Sequence, residues 1–160
     1  MSEHDARRAI TEALYTYCRG IDRLDADLVR AAFHPGAELI DYGPEPMTIE
    51  RFAEYAVAAL GQRFVATQHR MSNLSIELDG PTAKAEAYVM AFHVEDGADG
   101  KLLHTFNGRY VDHHEERDGE WRIARRYLRV DWSTVEPITG EMSGAWVPSG
   151  RGGTPDPWYS

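Results

Sequence analysis

Two residues of this 160-residue chain have the types and settings that proton-transfer chemistry needs, an aspartate at Asp22 and a histidine at His69. Residues 5 to 23 place Ile10, Leu14, Tyr17 and Ile21 at the spacing of an amphipathic helix. On that helix Asp22 falls at the edge of the apolar stripe, on the side of Tyr15 and Cys18. A carboxylate there points partly into the core, where leaving it unpaired is costly. A helix-end cap is the competing reading, because Asp is common at such positions. His69 belongs to a predicted strand in which Val65, Thr67, His69 and Met71 share one face by period two. A histidine in that company is either a satisfied core residue or a catalyst. His93 repeats the pattern behind Ala85, Ala87, Val89 and Ala91, small side chains that leave room for a packed helix or a ligand. Thr105 and Asn107 share a face with Leu103, which suits either a wet cavity or a solvent-facing strand surface.

Together these residues supply an acid or base, an orienting carboxylate and several hydrogen-bond donors. An Asp paired with a His fixes the ring tautomer and raises the basicity of the imidazole. The chain holds no phosphate-cradling glycine motif, no G-x-S-x-G and no H-E-x-x-H. Chemistry by proton movement alone remains, with no cofactor implied. A metal site is the rival reading, since Asp22, His69 and His93 make the two-histidine, one-carboxylate recipe of an iron triad. An Asp already paired to a His ligates poorly, so no metal is expected. His104, His113 and His114 read as strand-surface residues, and His4 and His34 as terminal and loop residues.

The elements that must position these groups are helices first and strands after. Asp25 can cap a second short helix, Ala26 to Phe33, which Pro35 and Gly36 end. An extended piece, Ala37 to Tyr42, stops at the breaker-rich GPEP. A third helix is predicted from Thr48 through Leu60, ending at Gly61. Four long strands follow: Arg63 to Leu78, Thr82 to Glu95, Lys101 to Glu115, and Trp121 to Trp132. Asp-Gly turn signals separate them, so the sheet is an antiparallel meander. This order predicts an α+β fold, a curved antiparallel sheet wrapped by the N-terminal helices into a cone-shaped cavity. Residues 1–135 form the domain. Residues 136–160 form a Gly, Pro and Ser-rich tail whose Trp146, Trp158 and Tyr159 imply docking over the cavity or on a neighbouring subunit.

Formal charge is 17 minus 26, or -9, which argues against a nucleic-acid partner. The local run Arg122, Arg125, Arg126, Arg129 alternates with apolar residues and reads as the outer face of a strand. No stretch is long and apolar enough to span a bilayer, and the polar N-terminus lacks the core of a signal peptide. One cysteine, Cys18, cannot form an intrachain disulfide. The expected setting is the cytoplasm.

The motifs LYTYCRGIDRLDADLVRAAFHPGAELIDYG, TQHRMSN, AFHVE, TFNGRY and DGEWRIARR, spread over residues 8 to 132, resemble the SnoaL-like and scytalone dehydratase-like group. That group has the nuclear-transport-factor-two-like fold, a cystatin-like roll. The resemblance implies that Asp22 holds the catalytic His69, the same pair as in the dehydrochlorinase branch. It makes His93 a second active-site histidine and Tyr42 a tyrosine holding a water on the substrate carbonyl. Thr105 and Asn107 take the places of a Ser and an Asn that bind substrate hydroxyls. Tyr17 and Asp22 have the Tyr-to-Asp spacing of a bile-acid dehydratase branch, while the helical wheel puts Tyr17 in the core stripe. A second scytalone-type tyrosine is Ile21 here, which counts against scytalone as the substrate. The implied function is a cofactor-independent lyase, a dehydratase acting on a hydroxylated cyclic ketone or polyketide-like small molecule. Isomerisation, cyclisation or dehydrohalogenation by the same pair, and a non-catalytic binding or assembly subunit, are the alternatives. The resemblance also implies a homo-oligomer, a trimer before a dimer.

Overall fold

The computed structural model describes residues 1–140 and Arg151. Helix α1 (Glu3–Arg23) opens where Ser2 accepts the Asp5 N–H at 3.2 Å and closes at Leu24, which takes the left-handed conformation. Ile10, Leu14, Tyr17 and Ile21 are all buried, so the apolar stripe faces the core as its spacing requires. Asp25 accepts the Leu28 N–H at 3.0 Å and starts α2 (Ala26–Ala31). The two helices meet tightly at Gly20, where a Cβ would lie 2.7 Å from the Val29 nitrogen. Helix α2 stops short of Phe33, which instead opens strand β1 (Phe33–Ile40). After the two-residue strand β2 (Met47–Thr48), α3 (Ile49–Arg63) runs through Gly61 and ends at Phe64. Arg63 therefore belongs to a helix, not to the first long strand.

Strands β3 (Ala66–Asp79), β4 (Thr82–Gly97), β5 (Gly100–Arg117) and β6 (Glu120–Pro137) form the antiparallel meander. The full sheet runs β2-β1-β6-β5-β4-β3, with β1 parallel to β6 and both edges open. The core lies between the helices and the inner sheet face, where Leu14, Tyr17, Ile21, Phe33, Leu39 and Phe52 meet Val89, Tyr110 and Ile123. This is the α+β architecture that the order of elements predicts. No helix among the described residues is long and apolar enough to cross a membrane. Strand β6 continues through Pro137, and Trp146, Trp158 and Tyr159 lie outside the described residues.

One irregularity in the sheet corrects the reading of the arginine run. Between β5 and β6 the register shifts, with His114 opposite Ile123 but His113 opposite Arg125. The extra β6 residue reverses which alternate positions face inward. Trp121 and Ile123 are buried before the bulge, and Arg126 is buried after it. Arg126 therefore sits in the core rather than on the outer face. Three histidines also differ from expectation. His34 is buried in β1, with Nε2 2.8 Å from the Glu115 carbonyl oxygen. His114 is fully buried, its Nε2 3.8 Å from an Asp112 oxygen. His104 faces inward, paired with Glu95 at 2.7 Å.

Candidate active site

The last turn of α1 brings Asp22 against the first long strand. Asp22 Oδ2 accepts the His69 backbone N–H at 2.9 Å, and Oδ1 lies 2.7 Å from His69 Nδ1. A carboxylate can only accept, so the proton between them belongs to Nδ1. In the neutral ring that leaves the Nε2 lone pair unprotonated. The two-point contact also ties the carboxylate to the strand backbone, which holds Oδ1 in place to receive Nδ1. His69 is nearly buried, with 7% of its side chain exposed.

His69 lines a cavity of about 250 Å³ between α1, α3 and the sheet. Tyr17 and Ile21 come from α1, and Phe52, Tyr55, Ala56 and Leu60 from α3. Ala91 and His93 of β4, with Phe106 and Tyr110 of β5, close the strand side. The wall is mainly aliphatic and aromatic, and its polar groups are the two imidazoles and the tyrosine hydroxyls. Asp22 is not part of this wall, so it acts on His69 from behind. Ala91 stands directly across from His69 in the β3–β4 pairing. The small β4 side chains therefore leave the space that the cavity occupies.

His93 meets His69 edge to face, with ring centroids 5.5 Å apart, and lies under the Phe64 ring at 4.8 Å. Burial, and after it the charge of His69, pushes its imidazole down to about 4. His93 is thus neutral near pH 7 and offers a hydrogen bond rather than a full charge. Tyr42 lines the cavity beside Phe52, with its hydroxyl buried close to that of Tyr17. Burial raises the phenols of Tyr17, Tyr42 and Tyr110, which keeps all three as O–H donors.

Behind this tyrosine floor stands Arg126. Its Nε and Nη2 bond Asp112 at 2.8 and 2.7 Å, and its guanidinium lies 4.3 Å from the Tyr17 ring and 4.1 Å from Tyr110. A buried cation there favours negative charge at the inner end of the cavity. Sequence reasoning missed this residue because regular alternation puts Arg125, not Arg126, in line with Ile123. Cys18 is buried beneath the same floor, and burial pushes its thiol up to about 12, so it is inert as a nucleophile.

Thr105 and Asn107 are not in the cavity. They stand opposite Phe92 and Met90, on the outer face of the sheet, while Phe106 between them points inward. The available signal was the aromatic alternation of Phe106 and Tyr110, which marks the even-numbered face of β5 as the inner one. Among the described residues no three His, Cys, Asp or Glu side chains group closely enough to hold a metal ion. The structure thus joins Asp22, His69, His93, Tyr42 and Tyr17 around one cavity and leaves Thr105 and Asn107 outside it.

Residues 2–127 match the model of the SnoaL-like domain. The chain belongs to the SnoaL-like family. No curated protein sequence matches it. Among solved structures, this SnoaL-like chain is similar to a scytalone dehydratase-like protein from Novosphingobium aromaticivorans, at 23% identity and TM-score 0.69, covering 85% of this chain and 95% of that one. A hexachlorocyclohexane dehydrochlorinase from Novosphingobium barchaimii shares 19% identity at TM-score 0.71, over 91% and 96% of the two chains. A nuclear transport factor 2-like superfamily protein from Salmonella enterica shares 21% at TM-score 0.70, over 90% and 100%. These likenesses concern the fold, which hosts many chemistries.

Proposed function

We propose that the chain is a cofactor-independent lyase, a dehydratase that eliminates water from a compact cyclic ketone by general acid/base catalysis. One observation carries the reading: His69 lines a small-molecule-sized cavity while Asp22, outside that wall, engages its Nδ1, which leaves Nε2 as the nitrogen free to act as base. In the reaction, Nε2 removes a proton from the carbon beside the ketone, and the electron pair moves onto the carbonyl oxygen. Tyr42 donates a hydrogen bond to that oxygen, neutral His93 adds a second donor, and Arg126 favours the charge through the tyrosine rings. The pair then returns, a carbon–carbon double bond forms, and the β-hydroxyl leaves. The imidazolium of His69 returns its proton to the departing oxygen, so water is released and the enzyme is restored.

Dehydrohalogenation is a second reading, supported by the apolar wall and by the fold shared with the dehydrochlorinase. It keeps the same proton abstraction and loses halide in place of hydroxide. Few polar groups line the cavity, which favours a substrate carrying one or two oxygens over a polyhydroxylated one. A homo-oligomer, a trimer first, belongs to the same proposal and is tested by sedimentation of the purified chain.

The test is a panel of cyclic β-hydroxyketones and their β-halo analogues, followed by the absorbance of the enone product. His69→Ala and Asp22→Ala are each expected to lower turnover by about a hundredfold or more, the usual contribution of a positioned base, with the far-ultraviolet circular dichroism unchanged. Equal turnover in wild type and both variants would overturn the reading.

A further inference from the structure

Arg151 lies beyond the SnoaL-like match, which ends at residue 127, yet it reaches the rim of the cavity. Its Nη1 donates to the Phe64 carbonyl oxygen and its Nη2 to the Leu60 carbonyl oxygen at 3.2 Å. The Leu60 carbonyl already accepts the Phe64 N–H at 2.9 Å and takes Arg151 as a second donor at the end of α3, where a cation also complements the helix dipole. Both residues it grips bear on the site. Leu60 lines the cavity. The Phe64 ring stacks on His93 with its plane tilted 30°, and meets His104 edge-on at 5.4 Å. His93 in turn meets His69, which Asp22 holds. A continuous path of contacts therefore runs from Arg151 through Phe64 and His93 to the proton-transfer pair.

The guanidinium also acts at range. Asp22 and Arg151 attract each other, and the charge of Arg151 opposes protonation of His93. His69, His104 and Arg63 act on His93 in the same sense, with burial the larger cause. Glu95, which takes Arg63 at 3.1 Å and lies 2.7 Å from His104 Nε2, opposes their effect.

We propose that Arg151 is a positioning residue of the cavity: its clamp on the Leu60 and Phe64 carbonyls holds the Phe64 ring on His93 and fixes a positive charge beside the Asp22–His69 pair. This rests on the proposed role of His93 as a neutral donor to the substrate carbonyl. By holding that donor in place and favouring negative charge nearby, Arg151 assists the enolate-like state more than the bound ketone. Its loss therefore falls on kcat rather than on KM.

The experiment uses full-length wild type, R151Q and R151K, each labelled at histidine, with His93 assigned by its absence from the H93Q spectrum. The proton titration of His93 is followed by nuclear magnetic resonance from pH 3 to 8. In R151Q the His93 midpoint is expected to move upward, because one opposing charge is gone. R151K restores the charge and is expected to bring the midpoint back toward wild type. If a substrate from the panel is turned over, R151Q is expected to lower kcat about tenfold with KM nearly unchanged, a smaller loss than for a donor that touches the reacting oxygen. An unmoved His93 titration in R151Q would overturn the proposal. So would an R151Q chain that fails to fold, since a positioning residue leaves the fold standing. The titration needs no substrate, so absence of turnover would count against the lyase reading and not against this one.

Discussion

Single side chains at this site do different work according to how deeply they are buried. His69 keeps one nitrogen for Asp22 and one for the cavity, whereas His93, under Phe64, is held neutral until about pH 4. On acidification His93 gains a charge with its ring centroid 5.5 Å from that of His69, and this charge opposes the proton that His69 must take from the substrate. Turnover is expected to fall on an acid limb that reaches down to this range, and the His93→Gln variant, which cannot protonate there, is expected to lose that component of the pH profile. Arg126 and Asp112 form the other buried pair, with 0% and 1% of their side chains exposed. Removing one partner strands the other charge, so Asp112→Ala is expected to lower stability by about 3–5 kcal/mol, read from urea denaturation. The Arg126→Met, Asp112→Leu double variant removes both charges together and is expected to recover most of that loss.

Elements carry a second set of constraints, which act through glycine and through bulges. Gly20 lets α2 fold back onto α1, and that packing fixes the end of α1 from which Asp22 projects. A Cβ at Gly20 would press on the Val29 nitrogen and on Leu28 at 2.7 and 3.0 Å, so Gly20→Ala is expected to cost about 1–3 kcal/mol and to loosen the Asp22–His69 contact. The loosening is measurable as faster exchange of the His69 amide, which Asp22 now protects. At Gly108 a Cβ would fall 2.1 Å from the Arg129 carbonyl oxygen, next to the second β5–β6 bulge. Close backbone approach of this kind admits only glycine. Gly108→Ala is expected to separate the strands locally and to lower the thermal midpoint by several degrees. Such irregularities are also where sequence reading of the strands stopped short. The His113/His114 bulge hides Arg126, because period-two alternation holds only while register holds.

The whole molecule responds to pH through groups that the reaction does not use. Burial holds the folded His114 imidazole down at about 4, whereas an unfolded chain protonates it near pH 6.5. Above about pH 6.5 both states are neutral at this residue and its contribution is fully present. As pH falls from there toward 4, only the unfolded chain takes the proton, so stability is lost across that window. The shift corresponds to roughly 3 kcal/mol at its full extent. Urea midpoints taken between pH 7.5 and 4 are expected to decline, and His114→Gln is expected to flatten that decline.

What the sequence determined by itself is local. Helical spacing placed Ile10, Leu14, Tyr17 and Ile21 on one buried face, and Asp25 and the Asp-Gly turns marked where elements begin and reverse. Those signals also put Asp22 at the edge of the apolar stripe of α1 and His69 on one strand face with Thr67 and Met71. What only the tertiary structure decided is which distant groups converge and which face of each strand looks inward. The 2.7 Å meeting of Asp22 and His69 spans 47 positions of chain. The inward turn of Arg126 follows from one unpaired residue in a bulge, and the outward turn of Thr105 and Asn107 from the parity of β5. Periodicity records the shape of an element, but the inner face is chosen by which side buries more apolar surface against the helices. That choice belongs to the packed molecule.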